Sequence, residues 1–208
     1  KNKDINLISK ATEETSKERH IIDSAQIIDL IDLNAQVCTD IGSGSGLPGI
    51  VLAIIMKHKK SEMKFKLYEK SFHKSNFLKE VTSKFNLNVE VYQKDIFTEK
   101  NLSSDIIVAR AFKPLPIILE LIKNNFKFFN EVILFLGKSG REIVEQASMR
   151  WNIHYEVKKS ITNKDSLILK IKNLKKKMKK KIVSIINQKG GVGKTTTVIN
   201  LAAGLSLQ

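Results

Sequence analysis

Val37 to Ile41 is a short run rich in β-branched residues that gives way directly to Gly42-Ser43-Gly44-Ser45-Gly46-Leu47-Pro48-Gly49, after which residues 49–59 read as a helix. A strand, a loop almost without side chains and a helix, in that order, open a βα unit. Its strand needs parallel neighbours and its helix must cover a sheet face. The pattern then repeats. Met63–Tyr68, Asn88–Tyr92, Ile106–Ala109 and Val132–Leu136 predict further strands, while Ser71–Phe85, Leu115–Phe126 and Glu142–Arg150 carry apolar residues at helical spacing. Ile153–Val157 and Leu167–Ile171, around a polar stretch at 158–166, predict an antiparallel pair that closes the sheet. The expected architecture is α/β, a three-layer sandwich around a mostly parallel sheet, preceded by helical residues at 5–33.

A chain of 208 residues, 42% apolar and 27% charged, can bury one ordinary core, which excludes wholesale disorder. Its single cysteine, Cys38, excludes an internal disulfide framework and fits a reducing cytoplasm; with four scattered histidines it leaves no metal-binding spacing. The longest apolar stretch, 47–56, is about half the ~20 residues that span a bilayer, so no membrane contact is expected. No secretory leader follows Lys1, and the lack of Met there predicts that residues are missing before it. The formal charge is +15, yet eight of the twelve residues 170–181 are lysine, and lysines outnumber arginines 32 to 4. What remains is a mildly basic body compatible with a polyanionic partner.

The glycine loop stands where open α/β sheets bind nucleotides, at a strand's carboxyl end. Two ligand classes compete for it. Gly44, Gly46 and Gly49 satisfy the GxGxxG of dinucleotide enzymes. Asp40, two positions before the GxGxG of Gly42, Gly44 and Gly46, instead gives the pattern of S-adenosylmethionine enzymes. A carboxylate attracts a sulfonium and repels a pyrophosphate, which favours the methyl donor. Glu69 ends the second strand, where it can accept from ribose hydroxyls, and Asp95 follows the third, where it can receive an adenine amino group. Each carboxylate alone reads equally as a helix cap or solvated loop residue; three at successive strand ends read as a site.

Four ordered segments carry a resemblance. Glu18-Arg19-His20-Ile21-Ile22-Asp23-Ser24, DIGSGSGLPGI at 40–50, LYEKSFHKSNFL at 67–78 and Ala109-Arg110-Ala111-Phe112 resemble the RsmG (GidB) methyltransferases of bacterial small-subunit ribosomal RNA, over residues 2–172. The resemblance implies a class I, Rossmann-like fold in a domain at 1–172, with an N-terminal helix at 5–33 and a core at 37–172. It also implies S-adenosyl-L-methionine as cofactor and methyl transfer to N7 of a guanine in 16S rRNA, naked or within the small subunit, by a cytoplasmic monomer. Gly42 and Leu47 are then expected along the cofactor, Asp95 and Ile96 beside its adenine, and Arg110 at the site, joining Asp40, Gly44, Gly46 and Glu69. The family shows Leu-Lys-Gly after the fifth strand, where this chain has Leu136-Gly137-Lys138, and it has more residues before Asn6-Leu7.

Guanine N7 keeps its lone pair at neutral pH, so the chemistry requires alignment at about 3 Å rather than a general base. Arg110 is expected to position a carboxylate or phosphate at the pocket mouth, and Arg110→Ala to cut transfer with the fold intact. Arg19, His20, Lys113, Lys138 and Arg141 are candidates for RNA contacts. His20 and Asp23 also stand one helical turn apart, which predicts a mutual hydrogen bond as the structural alternative.

After a Lys-rich linker at 173–181 the sequence begins anew. Lys181–Ile186 predicts a strand, and Lys189, Gly191, Gly193, Lys194 and Thr195 form a P-loop resembling the deviant Walker A of ParA-type ATPases. The unit at 182–208 is expected to be a truncated βα piece that begins near Met178, joined to its neighbour's reading frame. It has no second acidic strand for magnesium, and ATP hydrolysis is not expected of it. The competing function is an inactive nucleotide-binding or regulatory module whose tail recruits a partner; a dinucleotide oxidoreductase ranks third.

Overall fold

Alternation along the middle strands forces a sheet covered on both faces. The computed structural model describes residues 17–177, 184–186 and 188–206, in two units divided after Lys176. In the first, β1 (Val37–Ile41), α1 (Gly49–His58), β2 (Lys64–Tyr68), α2 (Phe72–Lys84) and β3 (Val89–Tyr92) build one half. A short β4 (Leu102–Ser103) leads to β5 (Ile106–Arg110), α3 (Leu115–Asn125), β6 (Phe126–Phe128), β7 (Glu131–Leu136) and α4 (Gly140–Arg150). The long hairpin of β8 (Trp151–Lys159) and β9 (Leu167–Lys176) ends the unit. On β5, Ile107 and Ala109 join one core while Ile106 and Val108 join the other. A strand apolar on both sides belongs at the centre of a parallel sheet.

The main sheet runs β3-β2-β1-β5-β7-β9-β8, parallel from β3 through β7 and antiparallel at its last two pairings. Buried residues of α3 and α4, among them Leu119, Ile122 and Val144, share one core with Ile107; Leu52, Met56 and Leu78 of α1 and α2 share the other with Phe65 and Val108. Chain order reverses between β1 and β5, so their carboxyl ends diverge and leave a crevice.

Several expectations are corrected. The predicted helix at 5–33 lies partly outside the described residues, at 5–16; from Lys17 it is no continuous helix but a π-type turn (Lys17–Ile22), one α-turn (Asp23–Ala25) and a 3₁₀ turn (Ile28–Leu30). Here the polar side chains bind elsewhere: the Ser24 hydroxyl bonds the His20 carbonyl and Gln26 reaches across to Ile161. The helix predicted to Phe126 stops at Asn125, because Phe126 turns into β6, which pairs with β4 in a two-stranded parallel sheet. Residues 173–176, expected in the linker, extend β9 in register with β8.

The second unit holds a bend at 188–193 and helix α5 (Lys194–Ser206). Gly191 and Gly193 take positive φ, and the Lys194 ammonium donates to the Lys189 carbonyl at 2.9 Å. Lys194 and Thr195 stand on its first turn. Of the strand predicted at 181–186, residues 181–183 lie outside the described residues. Residues 184–186 form no strand, since a single strand in so small a unit has no ladder to join.

The N-terminal turns are tied to the sheet by Lys170 of β9, which donates to the Leu30 carbonyl at 2.7 Å and pairs with Glu131 at 2.8 Å. That ion pair is nearly buried, whereas Lys172–Glu156 on the same hairpin is exposed. Lys170→Ala is expected to lower stability by about 3 kcal/mol, by stranding a buried carboxylate. Lys172→Ala is expected to leave stability nearly unchanged, since that pair is exposed and screened. Urea unfolding of both variants reads the difference, and equal losses would refute the role given to Lys170.

Candidate active site

Two carboxylates hold the glycine loop from below and from the side. Asp40 Oδ2 accepts the Gly49 N–H at 2.9 Å, and Glu69 Oε2 accepts the Gly44 N–H at 2.9 Å while its Oε1 takes the Ser71 N–H at 2.7 Å. The Ser43 N–H bonds the Tyr68 carbonyl, which fastens the loop to the end of β2. Gly42 has φ +72°, and a Cβ there would stand 2.0 Å from the Phe112 ring, so only glycine permits that approach. Gly46 faces inward instead: its missing Cβ leaves room for Ile50 and Leu78.

Asp40 is the clearest correction at the site. Expected beside a cationic ligand, its carboxyl is buried beneath the loop and does not line the cavity. Burial pushes it up to about 7, against the Gly49 N–H, which pulls it down. It holds the first turn of α1 onto the loop, and its Oδ1 has no partner.

Above the loop lies a cavity of about 490 Å³, within the ~300–1,000 Å³ usual for small-molecule sites. Gly42, Gly44 and Leu47 line it from the end of β1, and Tyr68 with Glu69 from the end of β2. Asp95, Ile96 and Phe97 contribute from the turn after β3, and Arg110, Phe112 and Lys113 from the end of β5. A Cβ on Gly44 would meet only the Gly42 carbonyl oxygen, at 3.9 Å, so its absence leaves bare backbone at the cavity wall. Each Glu69 oxygen has a lone pair to spare after its backbone bond. A bare glycine floor, an acceptor carboxylate at ribose position and flat apolar walls fit a nucleoside-type methyl donor. Asp95 stands in an exposed turn, its Oδ1 accepting the Phe97 N–H at 3.1 Å. Among the described residues no cluster of His, Cys, Asp and Glu has the arrangement of a metal site, and no helix is long and apolar enough to cross a membrane.

Arg110 is engaged by the chain itself. Its Nε donates to Asp23 Oδ2 at 3.0 Å and its Nη1 to His20 Nδ1 at 3.2 Å, with both ion-pair partners largely buried. The expected His20–Asp23 bond is thus replaced by a shared bond to Arg110. Asp23 Oδ1 also accepts the Thr162 hydroxyl at 2.7 Å and the Ser160 hydroxyl at 3.2 Å. Removing Arg110 is therefore expected to loosen the Asp23 cluster as well as the site. His20 lines the cavity, as do Lys113 and three lysines not foreseen, Lys70, Lys74 and Lys94. Lys138 and Arg141, at the start of α4, are exposed and do not line it; the Arg19 side chain lies outside the described residues.

Asn125 is a further omission. Buried at the end of α3, its amide faces the carbonyls of Ile96, Phe97 and Glu99 at 2.6–3.0 Å and fixes the turn that carries Asp95. A polar residue on the apolar face of a predicted helix was the available signal.

Residues 1–181 match the family described as rRNA small subunit methyltransferase G, and residues 180–208 an AAA domain. A ribosomal RNA small subunit methyltransferase G of Pelagibacter ubique is 52% identical over 178 residues, covering 85% of this chain and 84% of that one. Its counterpart in Bartonella tribocorum is 39% identical over 180 residues, at 84% and 82% coverage. Among solved structures, a SAM-dependent methyltransferase from Aquifex aeolicus superposes with a TM-score of 0.57 at 16% identity, covering 84% of this chain and 98% of its own. M. capricolum TrmK, solved with S-adenosyl-homocysteine, gives 0.52 at 16% identity, covering 72% and 66%. The fold is that of the SAM-dependent methyltransferases.

Asp40 gives the site a pH signature. Its folded value lies above the ordinary 3.8, so between pH of about 4 and about 7 the folded protein holds a proton that the unfolded chain has lost. Stability relative to Asp40→Asn must then fall as pH rises through that window, by up to about 4 kcal/mol. Urea unfolding of both proteins at pH 5 and pH 8 measures the change; a pH-independent difference would contradict the buried carboxyl.

Proposed function

This chain belongs to the rRNA small subunit methyltransferase G family, and we propose on that premise that it methylates N7 of a guanine in 16S rRNA, as a cytoplasmic monomer. The observation that carries the reading is the junction of a bare glycine wall with the buried Glu69 carboxylate in one cavity at the switch point of the sheet. Bound there, S-adenosyl-L-methionine supplies an electrophilic methyl carbon: the N7 lone pair forms the new N–C bond, the C–S pair leaves with sulfur, and the base becomes a 7-methylguaninium.

The residues of this chain have a positional task in that reaction. Glu69 accepts from ribose hydroxyls, Leu47 and Ile96 flank the flat part of the donor, and the turn fixed by Asn125 holds Asp95 toward its amino group. Arg110 keeps His20 in the cavity wall through the bond from its Nη1 to Nδ1. An arginine only donates, so His20 Nδ1 accepts, and any proton on a neutral ring sits on Nε2. That hydrogen bond denies Nδ1 a role as base, which N7 does not need. Lys70, Lys74, Lys94 and Lys113 stand at the rim, available to phosphates.

Tritiated methyl transfer to unmodified 16S rRNA and to small subunits, with the labelled base mapped, tests the reading; label at guanine N7 is expected, and its absence from both substrates would refute it. Glu69→Ala should weaken calorimetric S-adenosylmethionine binding at least about tenfold, the loss of one charged hydrogen bond. Unchanged affinity would remove Glu69 from the donor site, and selective binding of ATP or NAD by the intact chain would favour the competing readings.

A further inference from the structure

We propose that the cavity rim at the start of α2 docks the RNA strand, the exposed Phe72 ring stacking on an unpaired base other than the target while Lys70 and Lys74 hold neighbouring phosphates; this rests on the methyltransferase reading above. Phe72 opens α2 just beyond the carboxyl end of β2. It stands one residue after Ser71, whose N–H is held at 2.7 Å by Glu69 of the cavity wall. Lys70 and Lys74, on either side of it in the chain, both line the cavity.

Packing gives no reason for an aromatic residue at this place. The helix buries Ser75, Leu78 and Thr82, whereas Phe72, one turn before Ser75, is 58% exposed. Its ring meets that of His73 edge to face, with centroids 5.6 Å apart and planes at 78°. Such a pair covers at most one face of a ring, so Phe72 keeps a face open to a base. A solitary exposed ring is common on protein surfaces. This one is set apart by the charge around it and by its nearness to the cavity; Phe85, half exposed, follows the far end of the same helix and lines no part of the cavity.

The ammonium groups are free to meet a polyanion. Lys70 is 74% exposed in its side chain, and its ion pair with the exposed Asp95 spans 3.9 Å, too weak a contact to withhold it from a phosphate. Cations that follow the backbone and aromatic faces that take bases are the two means by which proteins hold single strands. The reaction creates the need for the second. In an A-form helix N7 lies in the deep, narrow major groove, so the target guanine must be unpaired or extruded, and its neighbours in the strand then lose a stacking partner. An open phenyl face at the rim replaces that partner, and since every base has a π-face the contact asks for no particular sequence.

The test uses the full chain and fluorescence anisotropy, with labelled single-stranded oligoadenylate and a ribose-phosphate strand of equal length lacking bases. Phe72→Leu, which keeps an apolar side chain and removes the ring, should weaken oligoadenylate binding at least about fivefold and leave the abasic strand unaffected; Phe72→Tyr should bind both as the wild type does. The double variant Lys70→Ala, Lys74→Ala should weaken both strands alike and flatten the dependence of log K on log salt by about 1.4, as loss of two phosphate contacts requires. In methyl transfer to 16S rRNA, Phe72→Leu should raise KM at least about fivefold with kcat and S-adenosylmethionine affinity unchanged. Melting curves verify that the variants are folded.

Failure separates cleanly. No binding of oligoadenylate by the wild type, equal losses for both strands in Phe72→Leu, or an unchanged KM for 16S rRNA would overturn the stacking role while leaving the methyltransferase reading in place. A loss confined to assembled small subunits would overturn it too, because the ring would then face a protein. Absence of methyl transfer by the wild-type chain, with oligoadenylate binding still dependent on Phe72, would overturn the enzymatic reading and sustain the docking surface.

Discussion

Two buried carboxylate–amide bonds carry the site: Asp40 to the Gly49 N–H and Glu69 to the Gly44 N–H. A loop with positive φ at Gly42, Gly44 and Gly46 has many conformations open to it, and glycine loses the most freedom on folding. Anchors of ordinary strength would hold it loosely. Burial strengthens both bonds by lowering the local dielectric. The two anchors differ in consequence. Asp40, fully enclosed, has one oxygen without a partner and a raised pKa, so it stabilises the loop at a cost in desolvation. Glu69, at the cavity wall, retains lone pairs for a ligand.

The opposite wall is assembled from distant parts of the chain. Asp23 gathers Arg110 from β5 and the hydroxyls of Ser160 and Thr162 from the turn between β8 and β9, and Gln26 accepts the Ile161 N–H. Its charge is countered by a guanidinium and its lone pairs are occupied, the condition under which a buried carboxylate is tolerated. The antiparallel hairpin thus does more than close the sheet: its turn presents the hydroxyls that hold the N-terminal strap against the cavity. The strap ends where Lys170 bonds the Leu30 carbonyl, so one hairpin holds it at Asp23, Gln26 and Leu30.

Much of this was legible before any coordinates. Apolar runs located the central strands β5 and β7, because strands buried on both faces need near-continuous hydrophobicity, while β2 and β3 showed by alternation, and the glycine loop with Glu69 lies at the cavity. The short β4 and β6 were not legible: a two-residue strand carries no period, and Phe126–Phe128 reads as the end of an apolar helix. Nor was the orientation of Asp40. Its position two residues before Gly42 is compatible with a side chain above or below the loop, and only packing of Gly49 against the carboxyl decides. Arg110 lines the cavity, but its partner Asp23 lies 87 residues away, a separation that no local pattern encodes.

The arrangement of charge in the first unit follows from a conflict between its proposed ligands. The donor is cationic and the RNA polyanionic, so one sign of charge throughout the cavity would repel one of them. The residues resolve this by depth. Glu69 lies buried at the wall, while Lys70, Lys74, Lys94 and Lys113 stand at the rim. Exposed lysines are screened over about 8–10 Å by salt, and their field on the donor is weakened further by Asp95, 3.9 Å from Lys70, and Glu99, 3.0 Å from Lys94. Phosphates arriving at the rim meet the ammonium groups directly and release their counterions there. This layering suits a body with few arginines to a polyanion at the mouth of the cavity and a cation at its depth.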